Sequence, residues 1–319
     1  MSVDMPVTQP QARLASARDY VELMKPRIMM LVVFTALAGM VAAVGVTGQS
    51  MNPVLACVAV LAVALGSGAA GAINMWYDSD IDEIMVRTST RPIPSGAVPR
   101  GEALTMGLIM SALSVLLMWI ASNVLAASLL ALSIAYYGWF YTMVLKRRTA
   151  QNIVIGGAAG AFPPVIGWAA VTGATPLDAW ILFAIVFFWT PPHFWALSLV
   201  AHKEYEKAGV PMLPVTSGAR ATRLQILLYT ILLVPVGLAP VATGLAGWIY
   251  AGIASILTVG FLYFAVKVYR SRAGDDDAGD AERKLAMSMF AFSIVYLFGL
   301  FAALIVEHGF GLYFSAGGG

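Results

Sequence analysis

Asn74, Asp78 and Asp82 stand four and four apart in the run Asn74-Met-Trp-Tyr-Asp78-Ser-Asp-Ile-Asp82. On an α-helix that spacing puts three side chains on one stripe, rising ~6 Å per step and drifting ~40° around the axis. Two carboxylates on one stripe can face a shared guest. With an amide carbonyl beside them they form a set of hard oxygen donors, which suits Mg²⁺ better than zinc or copper. Magnesium held by one or two carboxylates usually completes its shell with substrate phosphate. The stretch therefore reads as a diphosphate trap, with Asp78, Asp82 and Asn74 as candidate metal ligands and catalytic groups. Asp80 lies ~200° around the axis from Asp78 and points elsewhere. The competing reading is a solvated flank at the end of a membrane helix. Asn74 weighs against it, because it sits one turn earlier, inside an apolar segment where an unpartnered amide is unfavourable.

The elements that must position this stripe follow from composition. Of 319 residues, 60% are hydrophobic and 11% charged, and the mean hydropathy is +0.81. A soluble domain of this length cannot hide so much apolar surface. An all-α, multi-span protein in a lipid bilayer is expected, with helices of about 20 residues each. Nine spans fit: 27–46, 54–77, 103–122, 124–143, 152–171, 179–200, 224–243, 246–267 and 286–306. The weakest separation is at Ser122-Asn123.

Charge placement supports nine. All 19 Lys and Arg fall on the side that holds the N-terminus, which the positive-inside rule makes cytoplasmic. Only Asp178 and Glu307 fall on the far side. The connections around 78–102 and 201–223 are long and should cap the cytoplasmic face, where function tends to sit. A polar tail over 1–24, a nine-helix domain over 25–309 and a disordered tail over 310–319 are expected. The net charge of +2 gives no sign of a nucleic-acid partner. Cys57, the one cysteine, reads as a small core residue. The N-terminal segment is not an Arg-rich, acid-poor leader, which favours a bacterial inner membrane over a mitochondrial one.

Further candidates lie on the charged face. Arg87 and Arg91 flank three hydroxyl residues, Thr88, Ser89 and Thr90, close behind the acidic stripe, and arginine forks match phosphate oxygens. Lys25 and Arg27 open the first span, where they could reach the same anion or anchor the helix end among headgroups. The fourth connection holds Tyr141, Lys146, Arg147 and Arg148, with Asn152 at the start of the fifth span. Alone, the three bases are a topology signal. Glycines of the fifth span, around Pro163-Pro164, read as close helix packing. In the sixth span Pro191-Pro192 precedes His193, about two turns inside the membrane end. A histidine there could ligate a metal, transfer a proton or bond to a carbonyl freed by the prolines. Glu204 stands after span six as Asp78 stands after span two, so it could hold a second Mg²⁺ or be plain loop charge. Asp275-Asp-Asp277 has flexible, polar surroundings and reads as a solvated linker.

These residues together resemble the UbiA superfamily of membrane prenyltransferases. Asn74, Asp78 and Asp82 match its first aspartate-rich motif, N-x-x-x-D-x-x-x-D. The likeness is greatest to its heme-farnesylating branch: Lys25-Pro-Arg27, Asp82-x-x-Met85-x-Arg87-Thr88-x-x-Arg91-Pro92, Asn152-Ile-Val-Ile-Gly-Gly157, Pro192-His193-Phe194 and Ala208-Gly-Val-Pro-Met-Leu-Pro214. It runs from about residue 20 to 305. One departure stands out. Many members carry two aspartates in the second motif, and here only Glu204 and Glu206 flank Tyr205, as the heme branch allows. The resemblance implies a UbiA-like bundle, farnesyl diphosphate and heme b as substrates, Mg²⁺ as cofactor and a heme A synthase downstream. It implies that Lys25, Arg27, Arg87, Arg91, Tyr141, Lys146, Arg147, Asn152, His193 and Glu204 bind substrate. The rivals are a prenyltransferase acting on a phenol or quinone precursor, and an ion-coupled transporter with intramembrane carboxylates.

Overall fold

The computed structural model describes residues 15–312, so the expectations for residues 1–14 and for the tail from 313 onward, Gly317 to Gly319 included, lie outside the described residues. Among the described residues there are nine helices long and apolar enough to cross a membrane, and no strand. They are α2 (Pro26–Thr47), α3 (Pro53–Tyr77), α5 (Arg100–Ala121), α6 (Val124–Ala135, continuing to Leu145), α7 (Asn152–Thr172), α8 (Leu177–Lys207), α9 (Leu213–Ala242), α10 (Trp248–Arg270) and α11 (Asp280–Gly309). Two short helices, α1 (Ala17–Leu23) and α4 (Ser79–Ile84), lie on the charged face.

Each span packs on the next in chain order, and α11 returns to α2, which closes a ring. Contacts also cross it: α2 with α7, α8 with α11, and α3 with α6 and α7. The α2–α7 crossing explains two glycines. A Cβ on Gly39 would lie 2.2 Å from the Pro164 carbonyl oxygen, and one on Gly167 would lie 2.0 Å from that of Ala36. Only hydrogen at both positions lets the backbones meet, which is how helices associate where lipid removes the hydrophobic drive. Gly156 and Gly157 likewise seat Tyr141 and Thr190, whereas Gly160 meets nothing.

The break at Ser122-Asn123 is real and capped: Asn123 Oδ1 accepts from the Ala126 amide at 3.0 Å, and its Nδ2 donates to the Ala169 carbonyl at 2.7 Å. The second long connection departs from expectation. Residues 201–207 prolong α8, and α9 begins at Leu213 with a kink at Gly218, whose φ of 81° takes it out of the helix. The free turn is therefore only 208–212. The first long connection forms α4 and then a looping segment whose Ile93 and Val98 are buried with Leu23, Ala72, Met75 and Ala103. Tyr20 on α1 donates to Glu102 at 2.5 Å. This small apolar cluster presses α1 and the loop onto the end of α3.

Two other expectations change. Cys57 is exposed on the outside of the bundle rather than in the core. Asp275 is no solvated linker residue, because it pairs at 2.8 Å with Arg223, which is buried and also donates to the Ala273 carbonyl. A guanidinium brought indoors by α9 requires a counter-charge. Glu307, on the far face, is fully buried and caps α10: its two carboxylate oxygens accept from the Gly247 and Tyr250 amides at 2.7 and 2.9 Å.

Candidate active site

The acidic stripe survives a helix break. α3 ends at Tyr77 and α4 begins at Ser79, with Asp78 between them at φ −85°, ψ 7°. The Asp78 amide still donates to the Asn74 carbonyl and the Asp82 amide to the Asp78 carbonyl, both at 2.9 Å. The four-residue rise thus runs through the joint, and Asn74, Asp78 and Asp82 are all buried. Burying carboxylates requires partners, and three cations supply them while a fourth holds the amide. Lys146 Nζ donates to Asp78 Oδ2 at 2.5 Å, and Arg147 stands 3.6 Å from Asp78 Oδ1. Arg91 donates to Asp82 Oδ2 at 2.7 Å. Lys25 donates to Asn74 Oδ1.

Lys25 has the only positive φ of a non-glycine residue among the described residues, at 53°. A left-handed conformation is unfavourable for a side chain larger than glycine's and collects at functional sites. It turns the lysine in toward Asn74 from the start of α2. Desolvation, followed by repulsion from Arg91 and Lys146, pushes the Lys25 ammonium down to about 7. Arg91, Lys146 and Arg147 match Asp78, Asp80 and Asp82 in number, and Lys25 adds a fourth basic group.

Asp80 is not idle. It takes both guanidinium nitrogens of Arg147, at 2.7 and 2.8 Å. Arg147 also donates to the Tyr77 carbonyl at 3.2 Å and lies 4.8 Å from the Tyr77 ring centroid. The hydrogen bond from Arg147 holds the Asp80 carboxyl below its ordinary range, and the same bond raises Arg147. Spacing along one helix does not predict this pair, because the partner comes from the connection between α6 and α7.

The remaining candidates divide. Arg87 reaches Tyr205 on α8, donating to its hydroxyl at 3.2 Å. Thr88 donates to the Asp82 carbonyl at 3.0 Å. Tyr141 stacks on Tyr137 at 5.4 Å, with Lys25 over the Tyr137 ring. Asn152 is buried and donates to the Lys146 carbonyl at 3.3 Å, so it braces the loop that carries the bases. Arg27 is exposed, without a hydrogen bond or ion pair to the cluster. His193 is brought to α11 rather than to the acids. Its ring lies between Trp189 and Phe290, at 4.2 and 4.4 Å between centroids, and its Nδ1 is 2.6 Å from Ser293 Oγ. Ser293 Oγ also donates to the Phe290 carbonyl at 2.6 Å. A carbonyl only accepts, so the hydroxyl proton goes there and Nδ1–H donates to Ser293. That leaves the Nε2 lone pair free.

Sequence reasoning had no signal for Thr142 or Tyr137. Thr142 is fully buried on the last turns of α6, where Tyr136–Leu145 is wound as a π-helix. It accepts from Asn74 Nδ2 at 2.9 Å and donates to the Tyr137 carbonyl at 2.7 Å.

The donor set fits a magnesium ion. Asp78 Oδ1 is buried without a hydrogen bond, and so is Glu204 Oε2. Among the described residues no three of His, Cys, Asp and Glu converge on one point, so Glu204 does not complete a cage with Asp78 and Asp82. Two carboxylates and an amide oxygen make a partial shell of the kind that phosphate oxygens complete.

An all-helical ring with a buried acidic stripe and four basic side chains at one membrane face defines a membrane-embedded transferase of the diphosphate-using kind. The chain belongs to the UbiA prenyltransferase family, whose profile matches residues 32–294. It is 70% identical over 315 residues to a protoheme IX farnesyltransferase of Hyphomonas neptunium, with 99% of each chain covered. It is 54% identical to one of a Caulobacter species, covering 95% of this chain and 92% of the relative. Among solved structures, a digeranylgeranylglyceryl phosphate synthase superposes with a TM-score of 0.71 at 18% identity, covering 91% of this chain and 98% of the other. A UbiA homologue from Archaeoglobus fulgidus bound to DMAPP and Mg²⁺ gives 0.66 at 18% identity, covering 90% and 99%. At such identities the structures establish the shared fold, and family membership sets the transporter reading aside.

Proposed function

We propose that this protein transfers the farnesyl group of farnesyl diphosphate to a vinyl group of heme b, giving heme O, in a magnesium-dependent reaction. The single observation that carries the reading is the buried Asp78–Asp82 stripe ringed by Lys25, Arg91, Lys146 and Arg147. The substrates follow from the relatives named above, whose chains are matched almost end to end. Of the two acceptors weighed, heme is favoured over a phenol or quinone precursor on that ground.

The chemistry needs a leaving group stabilised and a cation protected. Breaking the allylic C–O bond sends its electron pair to the diphosphate. A Mg²⁺ ion held by Asp78, Asp82 and Asn74 would neutralise charge that builds on the diphosphate oxygens. Lys25, Arg91, Lys146 and Arg147 then bind the remaining oxygens, and the low-dielectric setting strengthens each contact. Arg87 is placed to help from the rim through its hold on Tyr205. Tyr137, with Lys25 over its ring, and Tyr141 stacked on it are the proposed aromatic shield of an allylic cation against water. The vinyl carbon of heme forms the new C–C bond with farnesyl C1, and water adds to the resulting cation and loses a proton. No strong protein base is required.

His193, with Nε2 free, is the proposed contact to the porphyrin. Glu204 is a proposed ligand for a second cation, Asn152 a brace for the phosphate-binding loop, and Arg27 a headgroup anchor or an outer phosphate contact. The charged face is the proposed cytoplasmic face of a bacterial inner membrane, and a heme A synthase is the proposed downstream partner.

The test is a product assay on the purified protein with farnesyl diphosphate and heme, with and without Mg²⁺. Heme O and free diphosphate should appear together, and only with the metal. Farnesylation of a phenolic acceptor with heme left untouched would sink the assignment.

A further inference from the structure

Nothing in the family likeness or in the spacing of the acidic stripe gives Thr142 a task, yet it is fully buried at the site. Its hydroxyl has one proton, and that proton is committed. Thr142 Oγ1 lies 2.7 Å from the carbonyl oxygen of Tyr137, five residues earlier. A carbonyl oxygen only accepts, so Thr142 donates there. In an ordinary α-helix a threonine folds back on the carbonyl three or four residues earlier. The π-helix over Tyr136–Leu145 shifts the register by one residue and sets the Tyr137 carbonyl beneath the hydroxyl instead.

Toward Asn74, then, Thr142 Oγ1 can only accept. The partner 2.9 Å away must be the Asn74 amide nitrogen, Nδ2, which also donates to Asp78 Oδ2 at 2.8 Å. With both Nδ2 protons used, Oδ1 has one way to face: toward Lys25. The two ends of an asparagine amide differ chemically but hardly in shape, and only hydrogen bonding decides between them. Three partners decide it here. Asp78 and Lys25 are ionic groups that a metal and a diphosphate would recruit. Thr142 is neutral and fully buried, so it keeps its hold when the other two are engaged.

We infer that Thr142 is a positioning residue, which uses the π-helical turn to lock the Asn74 amide with its oxygen aimed at the metal-diphosphate site. The inference rests on the proposed function for the existence of that site. Outer partners that orient a metal ligand are typically worth ~10–100-fold in metal affinity or activity. An amide free to turn would offer N–H groups to a cation for part of the time.

The test compares Thr142→Val, which keeps shape and loses the hydroxyl, with Thr142→Ser, which keeps the hydroxyl. Metal binding is read directly from the Mn²⁺ electron paramagnetic resonance signal of the detergent-purified protein, with a non-hydrolysable farnesyl thiodiphosphate present. Turnover is read separately against Mg²⁺, farnesyl diphosphate and heme. Thr142→Val should weaken Mn²⁺ binding and raise the Mg²⁺ requirement by ~10–100-fold, with the KM for heme unchanged. Thr142→Ser should match the wild type. If the valine variant does not insert, Thr142→Ala replaces it with the same expectation. Wild-type metal binding in the valine or alanine variant would overturn the inference and leave the proposed function standing. So would equal losses in the serine and valine variants, which would mean packing alone. A wild-type protein that binds no Mn²⁺ with the thiodiphosphate would overturn both.

Discussion

Replacing Asp78 with Asn preserves shape and removes one negative charge from beneath Lys146 and Arg147. Asp78 is fully buried, while the side chains of Lys146 and Arg147 keep 17% and 30% of their exposure. Removing one partner of a fully buried pair costs ~3–5 kcal/mol. Here both cations can recover part of their hydration and Arg147 keeps Asp80, so the expected loss of stability is lower, ~2–3 kcal/mol. The chemical step should suffer more than the fold. Loss of one preorganised group facing developing charge costs ~10²–10³ in kcat, or ~2.7–4 kcal/mol. Asp80→Asn is the informative neighbour. Asp80 is 56% exposed, and its ion pair at the surface is worth ~0–1 kcal/mol. It should leave stability nearly intact and lower turnover far less than Asp78→Asn does. Both variants would be purified in detergent, followed by thermal unfolding, and assayed for farnesylated heme per folded molecule. Near wild-type turnover in Asp78→Asn, or indistinguishable losses in the two variants, would refute the assignment of Asp78 to the reaction centre.

Gly167→Ala should destabilise the bundle by ~1–3 kcal/mol or more, seen as a lower unfolding temperature, because its Cβ would lie 2.0 Å from the Ala36 carbonyl oxygen. An unchanged transition would mean that α2 and α7 part freely. Glu307→Ala strands two amides at the start of α10, each worth ~1–3 kcal/mol when left unsatisfied; it should lower stability while turnover per folded molecule holds, since Glu307 is at the opposite face. His193→Ala should weaken heme binding, followed by the visible absorbance of bound heme, more than binding of farnesyl thiodiphosphate. Equal loss of both would assign the Trp189–His193–Phe290 stack to packing.

Much of this protein is legible along one dimension. Nine apolar runs and the one-sided distribution of Lys and Arg predict the nine membrane-length helices found among the described residues, because a bilayer demands helices of set length and leaves few ways to arrange them. The stripe of Asn74, Asp78 and Asp82 is legible for a similar reason: a helix converts spacing into direction, and even the break at Asp78 keeps the four-residue hydrogen bonds. The break at Asn123 was readable from its two polar residues.

Contacts between helices decide the rest. Asp80 was directed away from the stripe by its angle on the helix, correctly, but the angle says nothing of what stands there, and Arg147 arrives from 67 residues on. Arg223 and Asp275, 52 residues apart, meet only because α9 carries a guanidinium indoors. Cys57 shows the limit from the other side: in lipid, an apolar run faces outward as readily as inward, so hydropathy does not separate core from surface. Thr142 looks like any threonine in an apolar span. Its role exists only because a π-helical turn sets one carbonyl beneath it while α3 brings an amide from the side. Spacing reports direction around a single axis; which side chains meet across axes depends on how the helices are packed.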